Sequence, residues 1–385
     1  MVNTNVAAVP AATIAPAGTP PTALAMFQDE LAQARNLVIS REFKLAEEKL
    51  VKLLAENVPD EVRQPALFEL GTAVAAENDL PRALSIYTQY LDRWPSDLRT
   101  PEILLRQGDL FHQMGLDNLA LAKFYSVMTA ALSLKTDQLP YYQRLVLQAQ
   151  VKIAETYYQM GRYSDAAEFY ARLLKQADAA LNRPLAQFRY VRSLAATGHH
   201  SEAVAAAQDF LARYPDDPEA PETRYYLAQS LKAEGQTAES LRQVLLFLGE
   251  EKKQAKDHPE LWSYWQQRVG NEIGNSLYKE GDYVKALQIY LSLAKLDPAP
   301  EWQVPVQYQI GMTYEHLMQP EKAVETYSNI LARETEVGTN ATPGLKTVFD
   351  MARWRAGFVQ WQVKADNLNH SLAAGNDTAI STNLP

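Results

Sequence analysis

An all-α array of stacked helix pairs is the fold this sequence predicts, and three observations predict it. Alanine returns at Ala46, Ala83, Ala120, Ala166, Ala203, Ala286 and Ala323, each followed four residues later by a second packing residue: Leu50, Tyr87, Phe124, Tyr170, Ala207, Tyr290 and Tyr327. Positions i and i+4 share one helix face, and the return of such a pair at a near-fixed interval marks a repeat array. Small residues at Ala34, Gly71, Gly108, Ala154, Ala228, Gly274 and Gly311 recur on the helix preceding each alanine. Glycine inside a helix costs roughly 1 kcal/mol against alanine, so its recurrence calls for a close helix crossing. Glycines at 115, 161, 198, 235 and 281 then fall between the two helices of a pair, where a positive φ is often required.

The elements follow in order. Residues 1–21, rich in Ala, Pro and Thr, hold no Lys or Arg and no continuous apolar stretch, so they read as a disordered leader and not as a signal peptide. The first unit begins near Phe27 and closes on Ala46 and Leu50. In the second, from Gln64, a first helix carries Leu67, Leu70, Gly71 and Val74, and Asn78 and Asp79 make the turn. Ala83, Tyr87 and Tyr90 lie on its second helix, which Pro95 stops. Further units begin near Pro101, Leu147, Pro184, Pro221, Gln267 and Val304. The unit from Pro221 has Ser240 in place of alanine and Val244 in place of an aromatic, but Leu227, Ala228 and Gly235 keep its register. From Pro343 to Gly357 the spacing matches Pro221 to Gly235, with Asp350 in the small-residue place. Met351, Trp354, Phe358 and Trp361 then predict a terminal capping helix that covers the open end of the array, as terminal repeats must. Residues after Ala373 read as disordered.

A longer rhythm overlies the short one. Unit starts step by 37, 37 and 46 residues and then repeat those steps, so every third junction is lengthened. The extra residues, around Gln138 to Arg144 and His258 to Tyr264, combine proline with Tyr141 and Tyr142, and with Trp262, Tyr264 and Trp265. This divides the chain into a leader (1–21), three-unit blocks at 22–146 and 147–266, a block of two units plus a degenerate cap at 267–373, and a tail (374–385). The junction aromatics have two readings, extension of the core along longer helices, or exposed ridges at Tyr141, Tyr142, Trp262 and Trp265 that dock a partner.

Composition excludes several functions. The 385 residues are 47% apolar and 22% charged, with formal net charge −9. That balance argues against nonspecific nucleic-acid binding, which needs a basic footprint. With no cysteine, disulfides, thiolate metal sites and cysteine nucleophiles are excluded. No run of about 18 apolar residues exists, so no membrane span is predicted. The six histidines, His112, His199, His200, His258, His316 and His370, lack zinc-ligand spacing. No phosphate loop or GxSxG elbow is present. Neither enzyme activity, metal nor cofactor is expected.

Ile310, Gly311, Tyr314, Ala323 and Tyr327 follow a Leu-Gly, aromatic, Ala-x₃-aromatic order, as do Ile273, Gly274, Leu277, Ala286, Tyr290 and Pro298. This pattern resembles the tetratricopeptide repeat, of ~34 residues. The resemblance, from Phe27 to Ala332, implies a right-handed superhelical solenoid whose first helices line a concave groove for a protein or peptide partner. On that face it places Arg106, Lys152, Arg189, Arg192, Tyr225, Gln229, Asn271, Asn275 and Tyr308. Guanidinium groups hold carboxylates bidentately, so an acidic segment is the expected ligand. Chaperone-binding members of the family hold a C-terminal carboxylate with lysine at a position filled here by Leu31, Phe68, Leu105, Val151, Phe188, Tyr225, Asn271 and Tyr308, and that clamp is not supported. The stretch Arg213 to Gly235 is similar to bacterial cell-envelope members. A non-catalytic adaptor in the periplasm is therefore expected, with the cytoplasm as the alternative. A second reading stays open, a self-assembling protein forming homo-oligomers through its aromatic junctions and chain ends.

Overall fold

A computed structural model describes residues 23–132, 139–176, 178–249, 259–338 and 341–380. The expected leader, residues 381–385 of the tail, and His258 lie outside them. All 17 elements among the described residues are α-helices. They run α1 (Ala23–Ile39), α2 (Phe43–Ala55), α3 (Asp60–Ala76), α4 (Leu80–Arg93), α5 (Thr100–Gln113), α6 (Asp117–Leu132) and α7 (Leu139–Gln159). Then come α8 (Tyr163–Lys175), α9 (Arg183–Ala196), α10 (His200–Arg213), α11 (Ala220–Ala233), α12 (Thr237–Gly249), α13 (Pro259–Lys279) and α14 (Tyr283–Leu293). The last are α15 (Pro300–His316), α16 (Pro320–Val337) and α17 (Pro343–Ile380). Successive helices pack in pairs, in two compact units, Met1–Thr156 and Tyr157–Pro385. The division falls within α7.

The same turn joins both helices of every pair. One residue in each takes a positive φ: Arg41, Asn78, Gly115, Gly161, Gly198, Gly235, Gly281 and Met318. Its N–H bonds to the carbonyl three residues back, and the next N–H reaches five back, as in Gly115 to His112 and Leu116 to Phe111. This is the Schellman closure, which satisfies carbonyls left over at the helix end. Asp79 and Asp282 then accept from the backbone N–H of Arg82 and Lys285 and start the second helix.

In the first unit, Ala46, Ala83 and Ala120 are fully buried, with Leu50, Tyr87 and Phe124 beside them. A Cβ on Gly71 would stand 2.5 Å from the Tyr87 ring, and one on Gly108 2.4 Å from Phe124. The glycines thus leave room for the aromatic ring of the paired helix. The second unit repeats this with Gly274 against Tyr290 and Gly311 against Tyr327. At the departure from the pattern, the Ser240 hydroxyl donates to the Ala228 carbonyl at 2.7 Å, so the buried oxygen is satisfied.

Both lengthened first helices, α7 and α13, have 21 residues. Tyr264 is exposed, but the four aromatics named as docking ridges correct that reading. Tyr142, Trp262 and Trp265 are buried, and the Tyr142 hydroxyl donates to the Leu98 carbonyl. Trp262 packs on Phe247 and Trp265 on Tyr225. Tyr141, half-buried, donates its hydroxyl to Glu102 at 2.6 Å. The longer helices use these rings as core, because each added turn needs apolar surface to cover it.

The C-terminal helix differs from its expectation in three ways. It passes through Gly357 without a turn, and runs on to Ile380 within the segment expected to be disordered. Gly357 does not take the positive φ found at the pair turns. The stripe that covers the preceding pair is Leu345, Phe349, Ala352 and Ala356, packed near Tyr327 and Ile330. Met351, Trp354, Phe358 and Trp361 are exposed. Capping is therefore done by the face opposite the predicted one.

Candidate functional site

First helices α11 and α13 lie side by side in the second unit and carry polar residues at helical spacing. From α11 come Gln229 and Lys232; from α13 come Glu272, Asn275, Ser276 and Lys279, and Glu280 follows just past its end. With His200 at the start of α10 they line a cleft of about 790 Å³. Tyr225 is buried behind them, and its hydroxyl donates to Glu272 at 2.6 Å. Burial and that carboxylate push the Tyr225 hydroxyl up to about 12, so it stays a donor at neutral pH. Gln229 donates to the Tyr225 hydroxyl at 2.5 Å and to Glu272 at 3.3 Å.

Charges of both signs stand in this row. Lys232 bridges to Ser276 and Glu280, and these contacts hold the Glu280 carboxyl below its ordinary range. Arg268 donates to Glu272 at 2.9 Å and lies over the Trp265 and Tyr225 rings. Asn275 accepts the Tyr290 hydroxyl at 2.7 Å, which fixes the amide at the cleft wall. The buried Nδ1 of His200 has no hydrogen-bond partner. Amide, hydroxyl and ammonium groups bind and orient polar chains; no group of three or more potential metal-ligating residues occurs among the described residues.

Of the residues named from sequence, this cleft brings together Gln229 and Asn275, with Tyr225 behind them. Arg189 and Arg192 lie elsewhere on the same unit. Arg189 donates to the Tyr170 hydroxyl at 3.3 Å, and both guanidinium groups sit over the Tyr158 ring. Arg192 also meets Glu222 at 3.5 Å. Asn271 and Tyr308 do not line the cleft; Tyr308 packs on Tyr327. In the first unit, Arg106 pairs with Glu102 at 2.8 Å and Lys152 with Asp109 at 3.0 Å. The sequence reading missed Lys232, Glu272, Ser276, Lys279 and Glu280. Continuing the three- and four-residue steps from Gln229 and Asn275 would have found most of them.

The tetratricopeptide repeat family signature matches residues 31–98, 151–218 and 188–246. No curated protein matches the sequence significantly. Solved structures similar to the chain include the C-terminal part of a repeat protein from Cytophaga hutchinsonii, 12% identical, covering 83% of this chain and 98% of that one with TM-score 0.45. A repeat protein from Parabacteroides merdae is 13% identical, with coverages of 85% and 98% and TM-score 0.41. The apo quorum sensor NprR of B. thuringiensis is 14% identical, with coverages of 81% and 88% and TM-score 0.40. Residues 31–98 and 151–246, which the signature matches, hold helix pairs of the kind a tetratricopeptide repeat describes.

Proposed function

We propose that the protein is a non-catalytic scaffold that binds an extended peptide or protein segment across α11 and α13, as an adaptor in a bacterial cell-envelope assembly. The cleft lined by Gln229, Asn275, Lys232 and Glu272 carries this reading. An extended chain offers backbone N–H and C=O groups at each ~3.3 Å step, and the two amides, with donors and acceptors together, suit such a ligand. The row of mixed charge favours a polar segment bearing both signs over a uniformly acidic one. The similarity of Arg213 to Gly235 to envelope proteins supports a periplasmic location; recovery of the native protein in the cytosolic fraction would overturn that placement.

The test is selection of a random phage-displayed peptide library on the full chain. Enriched peptides should bind the Gln229→Ala/Asn275→Ala variant about tenfold or more weakly, since each lost hydrogen bond is worth ~0.5–1.5 kcal/mol. Failure to enrich any peptide, or equal binding to the variant, overturns the assignment.

A further inference from the structure

The C-terminal helix has two apolar stripes on nearly opposite sides. One, with Leu345, Phe349, Ala352, Ala356 and Val359, is buried, and all but Val359 belong to the cluster around Tyr327 and Ile330. The other is Met351, Trp354, Phe358, Trp361, Ala365 and Leu368, at steps of three, four, three, four and three. That alternation is the a/d seam of a heptad repeat, which pairs helices through interlocking side chains. Trp354 is 63% exposed, Trp361 64% and Leu368 62%. Trp354 and Phe358 already stack, with centroids 5.3 Å apart and planes 6° from parallel.

We propose that this seam pairs antiparallel with the same seam of a second copy of the chain. Three features of the helix select that occupant and direction. In the antiparallel register Met351 meets Leu368 of the partner helix, Trp354 meets Ala365, and Phe358 meets Trp361. Each Trp354 then faces the small Ala365, whereas a parallel register stacks Trp on Trp and leaves a gap between the two copies of Ala365. The flanking positions Arg355, Gly357, Gln362 and Lys364 bring Arg355 opposite Gln362 and Lys364 opposite Gly357, so no like charges meet. The seam spans about 25 Å. Counting ~150–250 Å² for each whole aromatic side chain, the exposed parts of the stripe hold roughly 500 Å² per copy, and two copies reach the ~1,000 Å² of a specific interface. The pairing keeps the homotypic reading of the sequence but moves it from the junction aromatics to the chain end, and it does not involve the α11–α13 cleft.

Sedimentation of the full chain across a concentration series should show a monomer–dimer equilibrium. The Trp354→Glu/Trp361→Glu variant should be monomeric with unchanged far-ultraviolet circular dichroism, both side chains being exposed. Because the chain has no cysteine, introduced thiols report contacts without background. A mixture of Met351→Cys and Leu368→Cys proteins should form the mixed disulfide in air, while neither protein alone crosslinks, its thiols being about 25 Å apart in the dimer. A wild-type monomer throughout the series, a variant that still dimerises, or crosslinking of Met351→Cys with itself overturns the proposal.

Discussion

Replacing Gly311 with alanine should destabilise the protein, although the same change stabilises an ordinary helix. The added Cβ would lie 2.5 Å from Cε1 of Tyr327, 2.8 Å from Cζ and 3.0 Å from Cδ1. Non-bonded carbons rest at ~3.5–4.0 Å, so the ring must retreat by about 1 Å. It has nowhere to go. Tyr327 is fully buried, leans on Tyr308 at 5.8 Å and donates its hydroxyl to Glu315, which Arg355 holds from the other side at 2.9 Å. Overpacking of this kind costs ~1–3 kcal/mol, and the helix-propensity gain of about 1 kcal/mol offsets part of it. Loss of the hydroxyl bond to a charged partner adds to the cost, which leaves a net loss of about 1–2 kcal/mol. Gly357 is the control, since a Cβ there meets nothing within 4 Å, and Gly357→Ala should gain up to about 1 kcal/mol. Urea denaturation followed by circular dichroism should move the two midpoints in opposite directions at unchanged slope. Two upward shifts would refute the claim that the glycine is kept for the ring.

Met318, 84% exposed, holds a φ of 53°, a left-handed conformation that costs a non-glycine residue ~1–2 kcal/mol. Met318→Gly should therefore raise stability by about 0.5–1 kcal/mol after the added unfolded-state entropy, and a lower melting temperature would contradict it. Ala166→Leu and Ala286→Leu each force a larger side chain into a fully buried crossing and should cost ~1–3 kcal/mol; unchanged thermal unfolding would show the crossings are loose. Burial raises the Glu222 carboxyl above its ordinary value of 4.5. The native state then holds a proton that the unfolded chain has released, so wild type should lose stability relative to Glu222→Gln as pH rises from 4.5 through the raised value. A gain over that window, read by melting temperature against pH, would reverse the assigned cause.

The repeat was legible because it is a matter of spacing. Ala46 to Leu50 and its six counterparts mark faces that must be buried, and Gly71 and Gly311 mark rings that must be admitted. Other features depend on contacts that spacing does not encode. Five turns announced themselves by glycine, but Arg41 and Met318 take the same conformation, because helix pairing imposes the turn whatever the side chain. Trp262 and Trp265 look alike as core or as ridge until the neighbouring Phe247 and Tyr225 are placed against them. The stripe of α17 was misread for a related reason. Both of its faces are apolar, and periodicity alone does not say which one meets α16. For the cleft, the amides Gln229 and Asn275 were found by position. The arginines were chosen by charge, and charge is where the reading was least informative.

Two of those arginines share with Arg268 and Arg355 a common use that explains why. Arg106 of α5 lies 4.6 Å from the Phe68 ring of α3 and bonds to Thr72 and Glu102. Arg192 of α9 meets the Tyr158 ring of α7 and Glu222 of α11. Arg268 of α13 meets Tyr225 of α11 and Glu272, and Arg355 of α17 meets Glu315 of α15. Each guanidinium links one first helix to another, between an aromatic face or hydroxyl and a carboxylate. Partly exposed ion pairs contribute only ~0.2–1 kcal/mol apiece, yet an array has no single core, so every interface needs its own closure. A uniformly acidic ligand would have to compete with these carboxylates and would loosen the stack it binds. Recognition without that conflict falls to uncharged groups, and the cleft amides of Gln229 and Asn275, though they bond to Glu272 and Tyr290, have more donor and acceptor capacity than those bonds use.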